Sequence, residues 1–348
     1  MATPNLVPLQ VSPAFQAMRR LVAAGAPEPE RMEELLHALD RERRLEQAWL
    51  LLRLARPDPA RWGPWPGRMK ALLEQDRVRR MNVWQTDPDR ATLRLAFALR
   101  APACRQNPAG VISLLAWALL DAGVPLAVGL EKALRPAIHL AHPLPPMVPG
   151  DWEWADAILA QGAGLPAPDL VAAINAHAAP GLRIRQCQQL PNHASPAAEL
   201  CRRAHWRWAC PEAWVEGARA RLDAFLASER FELEKTGKIE GLKGAKVLDI
   251  RPLVEACRWD GSSLHFQTPL AAGGATNPRK LLAAILGREV APEELERTGV
   301  ELGEDPRLVD PDRYQPKLHN MFEDAVPLGA GDRIQIVEDD DDEPLRLG

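Results

Sequence analysis

Lysine and glycine recur closely between residues 235 and 246, the segment of the chain best suited to contacting a phosphate group. It contains Lys235, Lys238, Lys243 and Lys246, together with three glycines and one glutamate. Glycines let a backbone approach a phosphate closely, and lysines supply positive charge. The order of the residues is not that of a Walker loop, GxxxxGK[ST]. The segment therefore predicts either a phosphate-contacting loop or a hairpin tip whose lysines keep it soluble.

Two charged residues follow this segment on a predicted β-strand. Asp249 and Arg251 are two positions apart, and residues with that spacing share one face of a strand. We expect them to form a structural ion pair with the backbone of the loop. The alternative is that Asp249 is an acid catalyst, although the sequence offers no second group to act with it. Arg251 joins the four lysines as a candidate contact for a ligand or a nucleic acid.

Basic and aromatic residues interleave in a second segment, which is a candidate surface for RNA. Sheet faces of this composition stack bases in RNA-recognition folds. Because side chains alternate along a strand, the two tryptophans share one face, and a shared apolar face is more typical of a core. Both interpretations stay open from the sequence alone. The segment comprises Arg202, Arg203, His205, Trp206, Arg207 and Trp208.

The histidines and cysteines predict neither a metal site nor a disulfide framework. The eight histidines have no carboxylate or thiol at a spacing typical of metal ligands. The five cysteines are odd in number and include no CxxC pair, which favours buried, reduced thiols. The motifs GxSxG and HExxH are also absent. We therefore predict no catalytic residue, no metal and no cofactor, which favours a non-catalytic protein.

The composition is that of an ordinary globular protein. The chain has 348 residues, of which 46% are hydrophobic and 26% charged, and its net charge is −4. The whole molecule is therefore not attracted to nucleic acid, so such binding would use a local patch. No apolar run approaches the ~18 residues needed to span a bilayer, and the first residues do not resemble a secretory signal. We expect a cytoplasmic protein that does not bind membranes.

Hydrophobic periodicity divides the chain into four parts. Residues 1–90 show helical spacing, which predicts a helical N-terminal domain. Residues 91–190 and 200–302 each read as β-α-β-β-α-β, the order of the ferredoxin-like plan. The predicted fold is therefore α+β: a helical domain followed by two tandem ferredoxin-like units. Residues 303–348 form an irregular segment with an acidic tail.

The acidic tail contains six consecutive carboxylates, EDDDDE at residues 338–343. Runs of like charge usually stay solvated and disordered. The alternative is a functional tail that competes with nucleic acid for the basic loop.

Residues of roughly 91–302 resemble the radical SAM-linked domain of unknown function. The resemblance is carried by the order and spacing of short segments, of which Lys243–Pro252, KGAKVLDIRP, is the clearest. Others are Leu134-Arg135-Pro136, HPLP at residues 142–145, and Asn277-Pro278 before the last helix. In bacteria that domain is fused to, or encoded beside, a radical S-adenosylmethionine protein, often near an RNase E/G-type ribonuclease. The resemblance therefore implies a radical SAM protein as partner, and RNA or a ribonuclease as a further one.

Two departures from the family pattern favour a divergent, structural member. The first helix of the family opens with a Ser-His-x-Asp type sequence, where this chain reads RQNPA at residues 105–109. The family's Gly-Phe-Asn-Pro turn is altered to GLEK at residues 129–132. Because CxxxCxxC is absent as well, the chain is not itself a radical SAM enzyme.

We therefore expect a non-catalytic accessory or substrate-presenting partner of a radical SAM protein. The alternative is an RNA-binding module for RNA processing or modification that uses the loop 235–246 and a sheet face. A third hypothesis is an enzyme acting on RNA whose site the sequence does not reveal. Arg135 completes the candidate binding residues, since it lies in a segment that carries the resemblance. The full set is Lys235, Lys238, Lys243, Lys246, Arg251 and Arg135.

Overall fold

The computed structural model describes most of the chain between residues 12 and 309. Within this part, the side chains of residues 29–30 and 234–246 are not described. The sequence also allows a strand at 332–337, but this segment, the acidic run at 338–343 and the altered turn from residue 130 to 132 lie outside the described residues. The described ranges are 12–25, 29–42, 44–75, 91–129, 134–160, 170–191, 193–239, 242–270 and 277–309.

The N-terminal region consists of helices whose apolar stripes face one another, as the periodicity predicts. Met18, Leu39 and Leu50 are fully buried between them. Trp62 and Trp65 are 0% and 7% exposed, so they pack the turn between them onto its own region. The helices are α1 (Pro13–Ala24), α2 (Pro29–Arg41), α3 (Leu45–Ala55), α4 (Pro59–Trp62) and α5 (Trp65–Gln75).

Two side chains of helix α3 donate hydrogen bonds to irregular backbone of the sheet domain, at Leu126 and Leu134. The Gln47 side-chain amide donates to the Leu126 carbonyl at 2.9 Å, and the Trp49 indole N–H donates to the Leu134 carbonyl at 3.0 Å. Because buried backbone groups need partners, these contacts tie the helical region to the sheet. The two share one continuous hydrophobic core.

The described residues contain ten strands, eight of which form one mixed sheet in the order β4-β1-β3-β10-β5-β9-β8, with β2 paired to β3. Neighbouring strands run antiparallel except β3 and β10, which are parallel. The strands are β1 (Ala91–Leu99), β2 (Ile138–Leu140), β3 (Gly150–Ile158), β4 (Leu182–Pro191), β5 (Cys201–Ala209), β6 (Glu232–Ile239), β7 (Leu242–Asp249), β8 (Ala256–Asp260), β9 (Ser263–Pro269) and β10 (Leu295–Leu302).

The two halves of the sheet repeat one strand order. The first half is ordered β4-β1-β3-β2 and the second β10-β5-β9-β8. When the strands of each half are numbered in chain order, their spatial order in both halves is fourth, first, third, second. In both halves, helices follow the first and third strands. The described helices here are α6 (Pro108–Asp121), α7 (Leu170–Asn175), α8 (Ala197–Leu200), α9 (Val215–Ala227), α10 (Pro278–Leu286) and α11 (Pro306–Val309). The architecture is thus α+β, with a helical N-terminal region and a large mixed sheet.

The halves meet at a seam between β3 and β10. Backbone register there consists of a single parallel pair, Arg297 with Gly150. The Arg297 amide donates to the Pro149 carbonyl at 3.0 Å, and side chains supply further contacts across the seam. The Arg297 guanidinium forms a buried ion pair with Glu153, with Nε to Oε1 at 2.8 Å. The Trp154 indole N–H donates to the Val300 carbonyl at 2.9 Å.

Helices cover one face of each half because alternate strand residues are apolar. In β1, Leu93, Leu95 and Phe97 face α6 in the first core. The first turn of α6 is capped by Asn107, whose side chain accepts from the Gly110 amide at 2.8 Å. In the second half, α9 and α10 pack over β5 and β9 in a second core.

Two predicted elements differ in the structure. The second strand of the first unit, expected directly after α6, is replaced by isolated bridges from Leu126 to Leu159 and from Val128 to Pro136 and by the short strand β2. The loop expected at 235–246 belongs largely to two strands, since β6 and β7 extend into it and form a hairpin of their own. Within the described residues, no helix has the length and apolar composition that a membrane span needs.

Candidate nucleic-acid interface

The lysine hairpin, which we define as residues 232–249, is a two-stranded sheet inserted between α9 and β8. Its strands β6 and β7 pair antiparallel from Glu232 opposite Asp249 to Ile239 opposite Leu242. It forms no backbone ladder with the eight-stranded sheet in the described part of the chain. The four predicted lysines are therefore held on regular, paired backbone.

The register of the hairpin places lysine opposite lysine twice. Lys235 pairs with Lys246, and Lys238 pairs with Lys243. Like charges directly opposite each other destabilise an antiparallel pair, typically by about 0.2–1 kcal/mol relative to neutral pairs. An isolated two-stranded hairpin is itself marginal in water. The backbone register therefore sets lysine opposite lysine at two positions of a sheet that has only two strands.

Asp249 closes the base of the hairpin. One carboxylate oxygen accepts from the backbone amides of Phe231 and Arg251, each at 3.0 Å. These two hydrogen bonds, from Phe231 and then from Arg251, lower the pKa of Asp249. The carboxylate is thus engaged by backbone donors, an arrangement that orders the base of the hairpin.

Apolar side chains attach the same base to the second core. Phe231 packs edge-to-face on Phe225 of α9, with ring centroids 5.2 Å apart. Leu233 and Leu248, on the two strands of the hairpin, pack against the second core. The hairpin is consequently anchored on the helix-covered side of the sheet.

Arg251 is part of this anchor. Its guanidinium donates to the carbonyls of Val254 at 3.2 Å and Leu226 at 3.3 Å, and it lies over the Phe225 ring at 5.4 Å. The expected ion pair with Asp249 is replaced by the hydrogen bond from the Arg251 amide to the Asp249 carboxylate. The structure therefore places Arg251 beside the lysines but engages it with backbone carbonyls.

Arg135 lies in the first half of the sheet domain. Its side chain is exposed, and its carbonyl accepts from the Gly129 amide at 2.7 Å. Among the described residues, no hydrogen bond or ion pair connects Arg135 to the hairpin. Of the six predicted binding residues, the four lysines lie in the hairpin, Arg251 lies directly after it, and Arg135 lies elsewhere.

The face of the sheet opposite the helices carries the arginines of β5. Trp206 and Trp208 are 2% and 0% exposed and point into the second core, which confirms the core interpretation of this pair. Arg203 and Arg207 lie on the opposite, open face. Arg203 pairs with Glu255 at 2.5 Å and Glu301 at 3.5 Å.

Other charges of the open face are also paired. Arg207 and Arg100 both bind Glu296, and Arg100 and Arg185 both bind Asp151. This network crosses from the second half to the first. Because its arginines are bound to carboxylates, the open face offers a polyanion fewer unpaired cations than the sequence predicts.

A cleft of about 350 Å³, including solvent at its mouth, lies in the first half. Burial and then the charge of Arg297 lower the pKa of His142, against a hydrogen bond with the Ala198 backbone. Burial raises the pKa of the Cys104 thiol. At neutral pH the cleft is thus lined by a neutral imidazole and a protonated thiol, a poor nucleophile. Its other walls are mainly apolar: Phe97, Leu99, Pro108, Val111, Leu140 and Leu144.

A buried polar cluster, which the sequence did not reveal, joins the two halves. Arg94 Nε donates to Asp156 at 2.8 Å, and Arg94 Nη2 donates to the Ser195 carbonyl at 2.6 Å. Asp156 also accepts from the Ala197 amide at 2.6 Å. The Ser195 hydroxyl donates to Asp305 at 2.7 Å. The signal available in the sequence was Arg94, the one charged residue in the otherwise mainly apolar strand β1.

Comparison with known proteins finds similarity to one protein family and assigns no activity. Residues 134–280 match a family described as an uncharacterized protein conserved in bacteria, DUF2344. The match covers less than half of the chain and includes Arg135 and the entire lysine hairpin. No curated protein shows significant similarity to the chain. Residues 134–280 are thus similar to a conserved bacterial domain of unknown function.

Proposed function

We propose that the protein is a non-catalytic RNA-binding protein whose lysine hairpin contacts the phosphates of its ligand. The observation that carries the proposal is the register of the hairpin, in which Lys235 opposes Lys246 and Lys238 opposes Lys243. Local violations of stability rules concentrate at functional sites. A bound phosphate backbone would convert the repulsion within each pair into attraction to the ligand.

The lysine pairs offer a phosphate chain one contact point on each face of the hairpin. The pairs are three residues apart along each strand, and side chains alternate between the two faces of a strand, so this odd spacing places the pairs on opposite faces. The anchor formed by Asp249, Phe231 and Arg251 would hold the strands in place while the ligand binds.

The fold supports RNA as the polymer. We assign both halves of the sheet domain to the ferredoxin-like plan, because each has the strand order fourth, first, third, second and a helix after its first and third strands. RNA-recognition modules use a four-stranded sheet of this kind. In this protein the tryptophans of β5 face the core, so the hairpin takes the leading part in the proposal.

The test is fluorescence anisotropy with a labelled single-stranded RNA over a series of salt concentrations. The variant is Lys238→Ala with Lys243→Ala, which removes one register pair. Each lost phosphate contact lowers the slope of log K against log salt by about 0.7 on a single strand. The double variant should therefore bind more weakly and show a slope smaller by about 1.4.

The matched control is Arg61→Ala with Lys70→Ala, which removes two exposed positive charges from the helical region. Its slope should equal that of the unmodified protein. Thermal stability separates function from folding, because removing a like-charge pair should leave the hairpin equally or more stable. Equal slopes for the two double variants would refute the proposal, and equal affinity for DNA of the same sequence would refute RNA specificity.

A second proposal is that the protein is an accessory or substrate-presenting partner of a radical SAM protein or of a ribonuclease. It is supported by the resemblance described above, whose clearest segment, Lys243–Pro252, lies inside the matched residues 134–280. Affinity purification from the native cells, with and without nuclease, tests it. A radical SAM protein recovered from nuclease-treated lysate would support this role, whereas loss of every protein partner on treatment would contradict it.

A further inference from the structure

We propose that the acidic run at residues 338–343 binds the lysine hairpin and competes there with nucleic acid. The inference rests on the proposed function for its consequence, but the contact itself can be measured without RNA. It assigns the hairpin a second ligand, an acidic peptide that the chain itself supplies.

Charge complementarity is the first argument. The hairpin segment 235–246 contains four lysines and one glutamate, while residues 338–343 are six consecutive carboxylates. The backbone register sets lysine opposite lysine at two positions. Like charges directly opposite each other are unfavourable, so a neighbouring anion would stabilise each pair. Carboxylates and phosphates are both oxyanions that accept hydrogen bonds from ammonium groups, which makes them competitors for one site.

Reach is the second argument. The last described helix, α11, ends at Val309, and residues 310–337 separate it from the acidic run. That connection is up to about 90 Å long when extended. A compact protein of about 300 residues has a radius of gyration near 19 Å. The connection is therefore long enough to reach the hairpin from any point of the surface.

The alternative cationic surface is less suited to this ligand. On the open face of the sheet, Arg100, Arg203 and Arg207 are already bound to carboxylates of the same face. An acidic peptide arriving there would have to displace these pairs. At the hairpin the peptide would meet lysines that stand opposite other lysines in the backbone register.

The competition is expected to be moderate. Because one chain carries both segments, the acidic run meets the hairpin at an effective concentration of the order of 1 mM. An acidic hexapeptide that binds the hairpin lysines with a dissociation constant near or somewhat below that value would occupy the hairpin for half of the time or more. RNA affinity should then rise about 2- to 10-fold when the acidic run is removed or neutralised at low salt.

The experiment compares the full chain, a chain ending at Val337, and a full-length variant with the run neutralised. The neutralised variant carries Glu338→Gln and Glu343→Gln, with Asn at the four aspartates between them. RNA anisotropy is measured at low and high salt. In parallel, carbodiimide cross-linking joins lysine amines to carboxylates in contact, and mass spectrometry of mixed light and heavy protein identifies links formed within one chain.

The expected result has two parts. Both altered chains bind RNA more tightly than the full chain at low salt, with the difference lost at high salt, and intramolecular cross-links connect residues 338–343 to the hairpin lysines in the full chain. Absence of those cross-links overturns the inference, even if all three proteins bind RNA. Cross-links without RNA binding by any of the three would leave the contact standing and remove the proposed function.

Discussion

The buried pair between Arg94 and Asp156 allows a stringent test of the architecture. Both side chains are 7% exposed, and they link β1 to β3 and to the connection between the halves. The perturbation is Asp156→Ala, which removes the carboxylate and leaves the guanidinium in place. Arg94 would then keep one strong acceptor, the Ser195 carbonyl, and the Ala197 amide would lose its only partner described here.

The expected loss follows from these contacts. Removing one member of a buried ion pair costs about 3–5 kcal/mol, because the remaining charge is buried without compensation. The orphaned Ala197 amide places the loss in the upper part of that range, since an unpaired buried donor alone costs about 1–3 kcal/mol. The combination of Arg94→Met with Asp156→Ala removes both charges and should recover at least about 2 kcal/mol of the loss.

The assay is urea unfolding followed by tryptophan fluorescence, with the m-value compared across variants to verify that the same transition is measured. The control is Glu255→Ala, which breaks an exposed pair with Arg203 and should have little effect on stability. If Asp156→Ala costs no more than this control, or if the double variant recovers nothing, the pair does not join the halves as described.

Three further outcomes are expected. Trp49→Phe should lower the free energy of unfolding by about 1–3 kcal/mol, because the Leu134 carbonyl loses a buried donor; an unchanged unfolding midpoint would contradict the contact between α3 and the sheet domain. Asn277→Ala should cost about 1 kcal/mol through loss of the N-cap of α10, whereas Asn277→Ser should cost much less. Asp249 has a lowered pKa in the folded protein, so the stability it contributes is present above about pH 4 and is lost as pH falls through the lowered value. Asp249→Asn should therefore flatten the acid limb of a stability-against-pH curve measured by thermal unfolding, and an unaltered limb would exclude this role.

Much of the fold could be predicted because apolar residues follow a regular period. The alternation in β5 predicted that its two tryptophans share one apolar face, and the structure buries Trp206 and Trp208 accordingly. Asn277-Pro278 marked the start of the last helix of the sheet domain, and Asn277 caps α10. In each case a local signal and the tertiary packing agree.

The remainder depends on contacts between distant segments. Arg94 has the sequence position of a solvent-facing strand residue, but in the structure it is buried and contacts Asp156 and the Ser195 carbonyl. The hairpin reads as a loop, because glycines and lysines have low strand propensity. Its base is ordered by Asp249, Phe231 and Phe225, which are up to 24 positions apart in the chain. No local pattern encodes such pairings.

The seam between β3 and β10 has a mechanical consequence. Hydrogen-bonded ladders make each half of the sheet stiff, but only one register pair, Arg297 with Gly150, carries the ladder from one half to the other. The two halves of the sheet can therefore change their relative angle, or separate, along the seam while each half keeps its own backbone hydrogen bonds. Amide hydrogens beside Gly150 should exchange with solvent through smaller openings than those within β1 or β5. The joint depends on side chains, namely the Arg297–Glu153 ion pair and the hydrogen bond from Trp154 to the Val300 carbonyl, so its stiffness can be adjusted by substitution while both halves keep their fold.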